Sequence, residues 1–363
     1  MAGGVGRLLR LRLAVRSDVS HCLRRPAVRE ESRIGWNVAE APIQESPDTG
    51  NDAELEDLIP PDILARVRVD HQRAIPALAK DPVAMQLLEN AAGMIPTQHE
   101  LIHGDSRSME TVKDGSVHLI LTSPPYWTLK RYPEHEGQLG HLADYEDFLF
   151  ELDKVWRHAF RALLPGGRLI VVVGDVNVSR RKFGRHVVFP LHASIQEHCR
   201  AIGFDNLAPI IWHKISNARF EVENGSAFLG KPYEPGAIIK NDVEYILFQR
   251  KPGGYRQPSL VARVLSVIPE HYHHEWFQQI WTLTGAPTRR HPAPYPLDLA
   301  ERLVRMYSFA GDTVLDPFMG TGTTNLAACK WGRHSIGIEI IEAYVEMARQ
   351  RLSTSWRESR LPL

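Results

Sequence analysis

The sequence predicts an α/β fold built on a doubly wound, mostly parallel sheet. Two short runs, residues 117–121 and 169–173, are almost continuously apolar, which is typical of parallel strands that are buried on both faces. Between them, apolar residues recur at helical spacing from 145 to 163. Strands that alternate with helices form parallel βαβ units. A chain of 363 residues with 43% hydrophobic content is large enough to bury the core of such a sheet.

Residues 1–60 are predicted to be a basic arm followed by a disordered linker. The first 25 residues hold six arginines and a single acid, and the stretch from 41 to 61 is rich in Pro, Asp and Glu with little apolar periodicity. The arm would add non-specific affinity for phosphates, and its composition also resembles a mitochondrial transit peptide. A helical lead-in is predicted for residues 61–97, with helices at 62–74 and 82–93.

The sheet is predicted to begin at residue 98 with a strand that ends in a Gly-Asp turn at Asp105. Segments 210–214 and 243–248 have the composition of later strands of the same sheet. Ligands of doubly wound sheets bind beyond the carboxyl ends of the strands, where the strand order switches. Loops that directly follow strands are therefore the candidate sites.

The first candidate loop is Thr-Ser-Pro-Pro-Tyr-Trp at 122–127, directly after a predicted strand. Two prolines fix two φ angles and remove two donors, so the loop is rigid and its carbonyls are free to accept hydrogen bonds. This arrangement suits a flat ring that carries an amino group. The ring would stack on Tyr126 while its NH2 donates to Ser123 and to the Pro124 carbonyl. A stiff turn without a function is the alternative interpretation of the two prolines.

The second candidate loop follows a short strand that ends at Asp316. Gly320 and Gly322 would let a ligand approach the backbone, and a helix capped by Thr323 or Thr324 would present free N–H groups. A phosphate loop would need a lysine here, and the dinucleotide fingerprint would need a third glycine. Because neither is present, a different nucleoside ligand is favoured.

Glu339 ends the next predicted strand, about 20 residues beyond the glycines. An acid at this position accepts hydrogen bonds from ribose hydroxyls in dinucleotide-binding folds. A solvated charge at a strand end is the alternative. The glycine loop in front of Glu339 favours the ribose role.

Together, the two loops resemble those of the β-class, or permuted, DNA amino-methyltransferases that use S-adenosylmethionine as cofactor. The resemblance covers roughly residues 98–353 and implies a Rossmann-like methyltransferase fold, with a catalytic half at 98–250 and a cofactor-binding half at 291–355. The matching catalytic positions are Ser123, Pro124, Pro125 and Tyr126. The matching cofactor positions are Asp105, Tyr295, Asp316, Pro317, Phe318, Gly320, Gly322, Thr323 and Glu339.

The resemblance implies site-specific methylation of the exocyclic amine of a DNA base that is flipped out of the duplex. Ser-Pro-Pro-Tyr, rather than Asp-Pro-Pro-Tyr, is similar to the cytosine-N4 branch, so N4 of cytosine is the expected acceptor. Adenine-N6 methylation and a catalytically silent DNA-binding protein are the alternatives. The implied partners are double-stranded DNA and a cognate restriction endonuclease, with the chain a monomer or a homodimer.

Residues 251–290 are predicted to be an inserted target-recognition segment. They combine cations, which bind phosphates, with planar rings, which contact bases. A solvated connector whose rings cover the sheet is the alternative. The residues concerned are Lys251, Arg256, Arg263, Arg289, Arg290, Tyr255, Tyr272, Trp276, Phe277 and Trp281.

Composition limits the remaining possibilities. Three widely spaced cysteines provide neither a zinc pattern nor a disulfide framework, and the histidine-rich run at 271–275 lacks a partner cluster, so no metal is expected. No apolar run reaches membrane length. The 43 basic and 43 acidic residues cancel, which neither favours nor excludes nucleic acid. The expected location is the bacterial cytoplasm, at the nucleoid, with mitochondrial targeting left open by the arginine-rich N-terminus.

Overall fold

The computed structural model describes residues 52–130, 132–215, 241–254, 256–286 and 295–358. The strands in these ranges are β1 (His99–His103), β2 (Val117–Thr122), β3 (Leu163–Val173), β4 (Val176–Val178), β5 (Val187–Phe189), β6 (Asp205–Ile215), β7 (Val243–Arg250), β8 (Ile280–Thr284), β9 (Thr313–Asp316) and β10 (His334–Glu339). The α-helices are α1 (Asp52–Glu56), α2 (Pro61–Val69), α3 (His71–Ala79), α4 (Pro82–Met94), α5 (Tyr145–Ala162), α6 (Arg180–Phe183), α7 (Leu191–Ile202), α8 (Leu260–Val264), α9 (Glu270–Trp276), α10 (Leu297–Tyr307), α11 (Thr323–Lys330) and α12 (Glu342–Glu358).

Eight of the described strands form one sheet in the order β1-β10-β9-β2-β3-β7-β6-β8. Neighbouring strands are parallel except at β7, which runs antiparallel to both β3 and β6. Strands β4 and β5 pair separately as an antiparallel hairpin. The predicted doubly wound, mostly parallel sheet is confirmed. β2 and β9, which precede the two candidate loops, are neighbours, with Ile120 opposite Leu315.

The core lies on both faces of the sheet, which explains why the strands are continuously apolar. In β2, Ile120 packs on the layer of α5 and α7, whereas Leu119 and Leu121 pack on the layer of α10 and α11. The same alternation holds along β3, and these side chains are fully buried. Each such Leu or Ile contributes roughly 1.5–3 kcal/mol on burial. A central strand with polar residues on one face would lose one of these layers.

Helix α5 matches the helical periodicity at 145–163. The carboxylate of Asp144 caps it by accepting hydrogen bonds from the backbone N–H groups of Glu146 at 2.9 Å and Asp147 at 3.0 Å. The helix ends at Ala162, and the chain enters β3 at the next residue. Its apolar face, including Phe148, therefore packs directly on the sheet that it precedes.

The structure corrects the expected disordered linker in residues 52–60. Helix α1 lies there, and Leu55 and Ile59 are only 5% and 3% exposed. They pack with apolar residues of α2, α4 and α8 in a separate cluster. The acidic composition concealed two apolar side chains, Leu55 on α1 and Ile59 in the turn that follows this helix. The rest of the predicted arm, residues 1–51, lies outside the described residues.

The candidate target-recognition segment, residues 251–290, contributes one strand to the main sheet. Strand β8 is the edge strand of the main sheet, and Trp276 and Trp281 are buried in its core at 4% and 2% exposure. The ammonium of Lys251 donates to the Leu163 carbonyl at 2.7 Å, and Arg256 pairs with Asp312. These contacts fit the alternative of a connector whose rings cover the sheet, and target recognition by this segment stays a prediction. Tyr255, Arg289 and Arg290 lie outside the described residues.

Across the ranges that the structure describes, no helix is long and apolar enough to cross a bilayer. In the same ranges, no three His, Cys, Asp or Glu side chains come together as metal ligands would.

Candidate active site

The two candidate loops border one cleft at the carboxyl edge of the sheet. The cleft lies beyond the ends of β1, β10, β9 and β2. Six of the predicted site residues line it, namely Asp105, Ser123, Pro125, Pro317, Phe318 and Glu339. Residues from distant parts of the chain thus meet where the switch-point rule for doubly wound sheets places a ligand.

Asp316 is buried beneath the cleft and does not line it. Its Oδ1 accepts hydrogen bonds from the Thr122 hydroxyl at 2.7 Å and the Phe318 N–H at 3.0 Å. Its Oδ2 accepts from the hydroxyls of Thr324 at 2.7 Å and Tyr295 at 3.3 Å. Burial raises the pKa of Asp316, and these four donors only partly offset that effect. The carboxylate therefore joins β2, the glycine loop, α11 and the segment before α10.

The loop between Asp316 and α11 depends on two glycines in the left-handed region. Gly320 has φ of 53° and Gly322 has φ of 79°, a conformation that other residues adopt only with strain. A Cβ atom on Gly322 would lie 2.8 Å from the Cβ of Ala348. Helix α12 thus packs directly against this loop, and the position has no room for a side chain.

The N-cap prediction for α11 was wrong. The N-cap is Gly322, and no side chain caps the helix. The hydroxyl of Thr324 instead bonds to Asp316 and to the Leu121 carbonyl at 3.1 Å, while Thr323 accepts from Arg351 at 3.3 Å. Both hydroxyls are used in tertiary contacts, so they are not available to the helix end.

Glu339 ends β10 and faces the cleft. Its Oε2 accepts from the Gly320 N–H at 2.8 Å, and its Oε1 accepts from the Ile341 N–H at 2.9 Å. Burial raises the pKa of Glu339, as does the charge of Asp316, and the backbone donors only partly offset this. A carboxylate has about four acceptor positions, so Glu339 keeps capacity for donors in the cleft.

Asp105 lies on the other side of the cleft, where Arg107 fixes its orientation. The guanidinium Nη2 of Arg107 donates to Oδ2 at 2.6 Å, and its backbone N–H donates to Oδ1 at 2.9 Å. Arg107 is in turn held by Glu151 at 2.6 Å. Burial acts to raise the pKa of Asp105, but the hydrogen bonds and charge of Arg107 outweigh it and lower that pKa. The result is an ionised carboxylate in a fixed position.

The proline loop, residues 123–126, places Ser123 at the cleft and Tyr126 behind it. The Ser123 hydroxyl donates to the Tyr126 hydroxyl at 3.3 Å. The Tyr126 hydroxyl lies within reach of Glu244 Oε2 at 3.1 Å and the Val172 carbonyl at 3.3 Å. Burial, followed by the charge of Glu244, raises the pKa of Tyr126, so its phenol stays protonated. With its proton directed at Tyr126, Ser123 has lone pairs left for a ligand.

Glu244 and Lys214 complete this edge, and the sequence reasoning missed both. Because β7 runs antiparallel to its neighbours, its first residues lie beside the carboxyl ends of β3 and β6. Glu244 stands there, forming an ion pair with Lys214 at the end of β6 and accepting from Tyr126. The one signal in the sequence was a charge near the start of a strand that is otherwise mostly apolar and aromatic.

Trp127 continues the proline loop in a strained conformation. Among the described residues it is the one non-glycine residue with positive φ, at 45°. Its indole N–H donates to the Leu142 carbonyl at 2.8 Å, and its ring contacts Tyr145 and Phe189 edge-on at 5.2 and 4.9 Å. Strain of this kind costs of order 1–3 kcal/mol and persists only where packing fixes the residue.

Comparison with known proteins agrees with this geometry. A family model for DNA methylases of the N6/N4 type matches residues 117–350. The chain is 35% identical to Type II methyltransferase M.MjaI of Methanocaldococcus jannaschii, over 71% of this chain and 92% of that protein. It is 48% identical to Type II methyltransferase M.ScaI of Streptomyces caespitosus, over 69% of this chain and 80% of that protein.

Two solved structures are similar. One is a Thermus thermophilus protein, assigned as a DNA modification methylase and complexed with S-adenosyl-L-methionine, at 53% identity and a TM-score of 0.59 over 71% of this chain and 94% of that one. The other, the cytosine-N4-specific PvuII DNA methyltransferase, supports the fold alone, at 19% identity and a TM-score of 0.52 over 73% and 93% of the two chains. The matched family model and the M.MjaI relative show that this chain belongs to the S-adenosylmethionine-dependent DNA amino-methyltransferases of the N6/N4 family.

Proposed function

We propose that this chain transfers a methyl group from S-adenosylmethionine to N4 of a cytosine that is flipped out of double-stranded DNA. The observation that carries the proposal is the placement of Ser123. It follows β2 and opens onto the same cleft as Asp105 and Glu339. The Type II relatives support a role in a restriction–modification pair with a cognate endonuclease.

The residues of the cleft fit S-adenosylmethionine chemically. Glu339 has acceptor capacity left for ribose hydroxyls, and Asp105 is an oriented acceptor for the adenine end. Phe318 and Ile340 provide apolar surface in the same cleft. Two carboxylates also suit a cofactor that carries a positive sulfonium. When bound, S-adenosylmethionine supplies an electrophilic methyl group.

Ser123 and the Pro124 carbonyl would act on the amine of the base. The lone pair of an exocyclic amine is delocalised into the ring, so the nitrogen is a poor nucleophile. Acceptors for its N–H groups would hold the amine so that the lone pair points out of the ring plane. Such catalysis is positioning and electrostatic preorganisation, without a covalent enzyme intermediate. The nitrogen would gain the methyl group as the bond between methyl and sulfonium sulfur breaks, with that electron pair left on sulfur, and it would lose one N–H proton to solvent.

Tyr126 and Glu244 would act through Ser123 as positioning residues. Their hydrogen bonds direct the serine proton away from the cleft. Asp316 and Tyr295 would support the cofactor in a similarly indirect way, because they are buried and hold the loop that carries Pro317 and Phe318. The glycine loop then fixes Glu339 through the N–H of Gly320.

Product analysis tests the proposal. The purified protein is incubated with S-adenosylmethionine and unmethylated genomic DNA, which is then digested to nucleosides and analysed by mass. We expect N4-methyldeoxycytidine. N6-methyldeoxyadenosine would overturn the base assignment and support the adenine alternative. The absence of any methylated nucleoside would instead support the catalytically silent DNA-binding alternative.

A further inference from the structure

We propose that a hairpin beside the active site, residues 176–189, binds the phosphates of the DNA strand next to the flipped base. This basic hairpin consists of β4, α6 and β5. The inference rests on the proposed function and adds a contact site to it. It also moves the expected DNA contact away from residues 251–286, whose described cations and aromatic rings mostly pack within the fold.

The hairpin contains several cationic residues and no acidic residue. Residues 176–189 contain three arginines, a lysine and a histidine but no Asp or Glu, in a chain whose 43 basic and 43 acidic residues balance overall. Arg180, Arg181, Arg185 and His186 are exposed. No carboxylate among the described residues pairs with these three arginines. Crowded like charges repel one another, and phosphates would remove that repulsion while releasing bound counterions.

The position of the hairpin relates this charge to the target base. It leaves the sheet at the end of β3, the strand that pairs with β2 next to Ser123. Its base is anchored in the core, where Val176 is 1% exposed. The Phe189 ring lies 4.9 Å from Trp127, the residue that follows the proline loop. A base bound at Ser123 would therefore have its flanking phosphates near the hairpin.

The tip of the hairpin is preorganised for phosphate contact. The guanidinium of Arg185 lies over the Phe183 ring at 5.5 Å, and Phe183 packs edge-on against Phe189 at 5.9 Å. Phe183 is nevertheless 44% exposed. An arginine stacked in this way loses less freedom when it binds phosphate. Residues 179–186 contain no Asn or Gln, the usual partners of adenine, which favours backbone contact over base reading.

The test compares two double variants by the salt dependence of duplex binding. Arg180→Ala with Arg181→Ala removes two hairpin charges. Arg66→Ala with Arg73→Ala is the matched control, because both arginines are exposed on α2 and α3, which pack by the amino end of β9. Fluorescence anisotropy of a labelled duplex at several salt concentrations gives the dissociation constant and its salt slope. Calorimetry with S-adenosylmethionine and thermal unfolding report cofactor binding and folding.

We expect the hairpin variant to bind duplex on the order of tenfold more weakly for each phosphate that it no longer neutralises, with the salt slope reduced by about 1.8. The weakening should be equal for duplexes of different sequence, and cofactor affinity should not change. Wild-type affinity and slope in the hairpin variant would overturn the inference alone, as would an equal weakening in the control variant. A wild-type protein that binds no DNA would overturn both the inference and the proposed function.

Discussion

The orientation of the Ser123 hydroxyl depends on Tyr126 and Glu244, which lie behind the cleft. Glu244→Ala would leave the Tyr126 hydroxyl without its carboxylate acceptor. We expect kcat to fall roughly tenfold, equivalent to about 1.4 kcal/mol, with the Kd for S-adenosylmethionine unchanged. Glu244→Gln keeps an acceptor oxygen and should recover most of the turnover. Steady-state kinetics and calorimetry measure the two effects separately.

Lys214→Met is the control for charge at this site, because it removes the ion pair but leaves the contact between Tyr126 and Glu244. Its turnover should stay closer to that of the wild type. If Glu244→Gln were as slow as Glu244→Ala, or if both weakened cofactor binding, Glu244 would not act by orienting Ser123.

The raised pKa of Glu339 predicts how cofactor affinity depends on pH. Only the ionised carboxylate is a full acceptor for ribose hydroxyls, so affinity should fall as pH drops through the raised pKa. The fall should begin above the ordinary glutamate value of about 4.3. Calorimetric titration at several pH values measures it, and Glu339→Gln should bind weakly with no inflection. An inflection at or below the ordinary value would contradict the assignment.

Folding stability should respond to Glu339 in the opposite direction. A pKa raised in the folded state means that the folded chain binds this proton more tightly than the unfolded chain does. The contribution of Glu339 to the free energy of unfolding is fully present below its pKa in the unfolded chain. It is lost as pH rises through its pKa in the folded chain. Cofactor binding therefore requires ionised Glu339, whereas the free energy of unfolding is lower when Glu339 is ionised.

The packing of the glycine loop against helix α12 can be tested by a substitution that adds a single methyl group. Gly322→Ala adds a Cβ that would lie 2.8 Å from the Cβ of Ala348, at φ of 79°. We expect its free energy of unfolding to fall by about 2–3 kcal/mol, because strain and overpacking both contribute. Gly184→Ala is the control, since φ is 73° there but an added Cβ would have no atom within 4 Å apart from its neighbours in the chain. It should lose only about 1 kcal/mol, the cost of its φ alone.

Chemical denaturation of both variants gives the comparison. Equal losses would show that the contact between the glycine loop and α12 contributes nothing beyond backbone strain.

The pattern of apolar residues predicted the strands that are buried on both faces along their whole length. β2 and β3 are buried on both faces, so their sequences are continuously apolar. The cap of α11 was missed because the Thr324 hydroxyl bonds to Asp316, a tertiary contact that spacing does not reveal. The burial of Leu55 and Ile59 was missed because their partners on α8 lie about 200 residues away in the chain.

The order and direction of the strands in the sheet explain which residues of the site could be predicted from the sequence. Loops that follow parallel strands must share one edge, so Ser123, Asp105 and Glu339 were expected to meet. Glu244 was not expected there, because it precedes most of its strand. Only the antiparallel direction of β7 brings it to that edge, and sequence pattern does not give strand direction.

We propose that Ser123 positions the amine of cytosine for methyl transfer from S-adenosylmethionine. The most direct test is single-turnover methylation of duplex DNA by the wild type and by Ser123→Ala, with products identified by mass and cofactor binding measured on the same samples. We expect N4-methyldeoxycytidine from the wild type, a rate about a hundredfold lower in the variant, and equal cofactor affinity in both. An equal rate in the variant would contradict this role of Ser123, and N6-methyldeoxyadenosine as the product would contradict the assignment of cytosine.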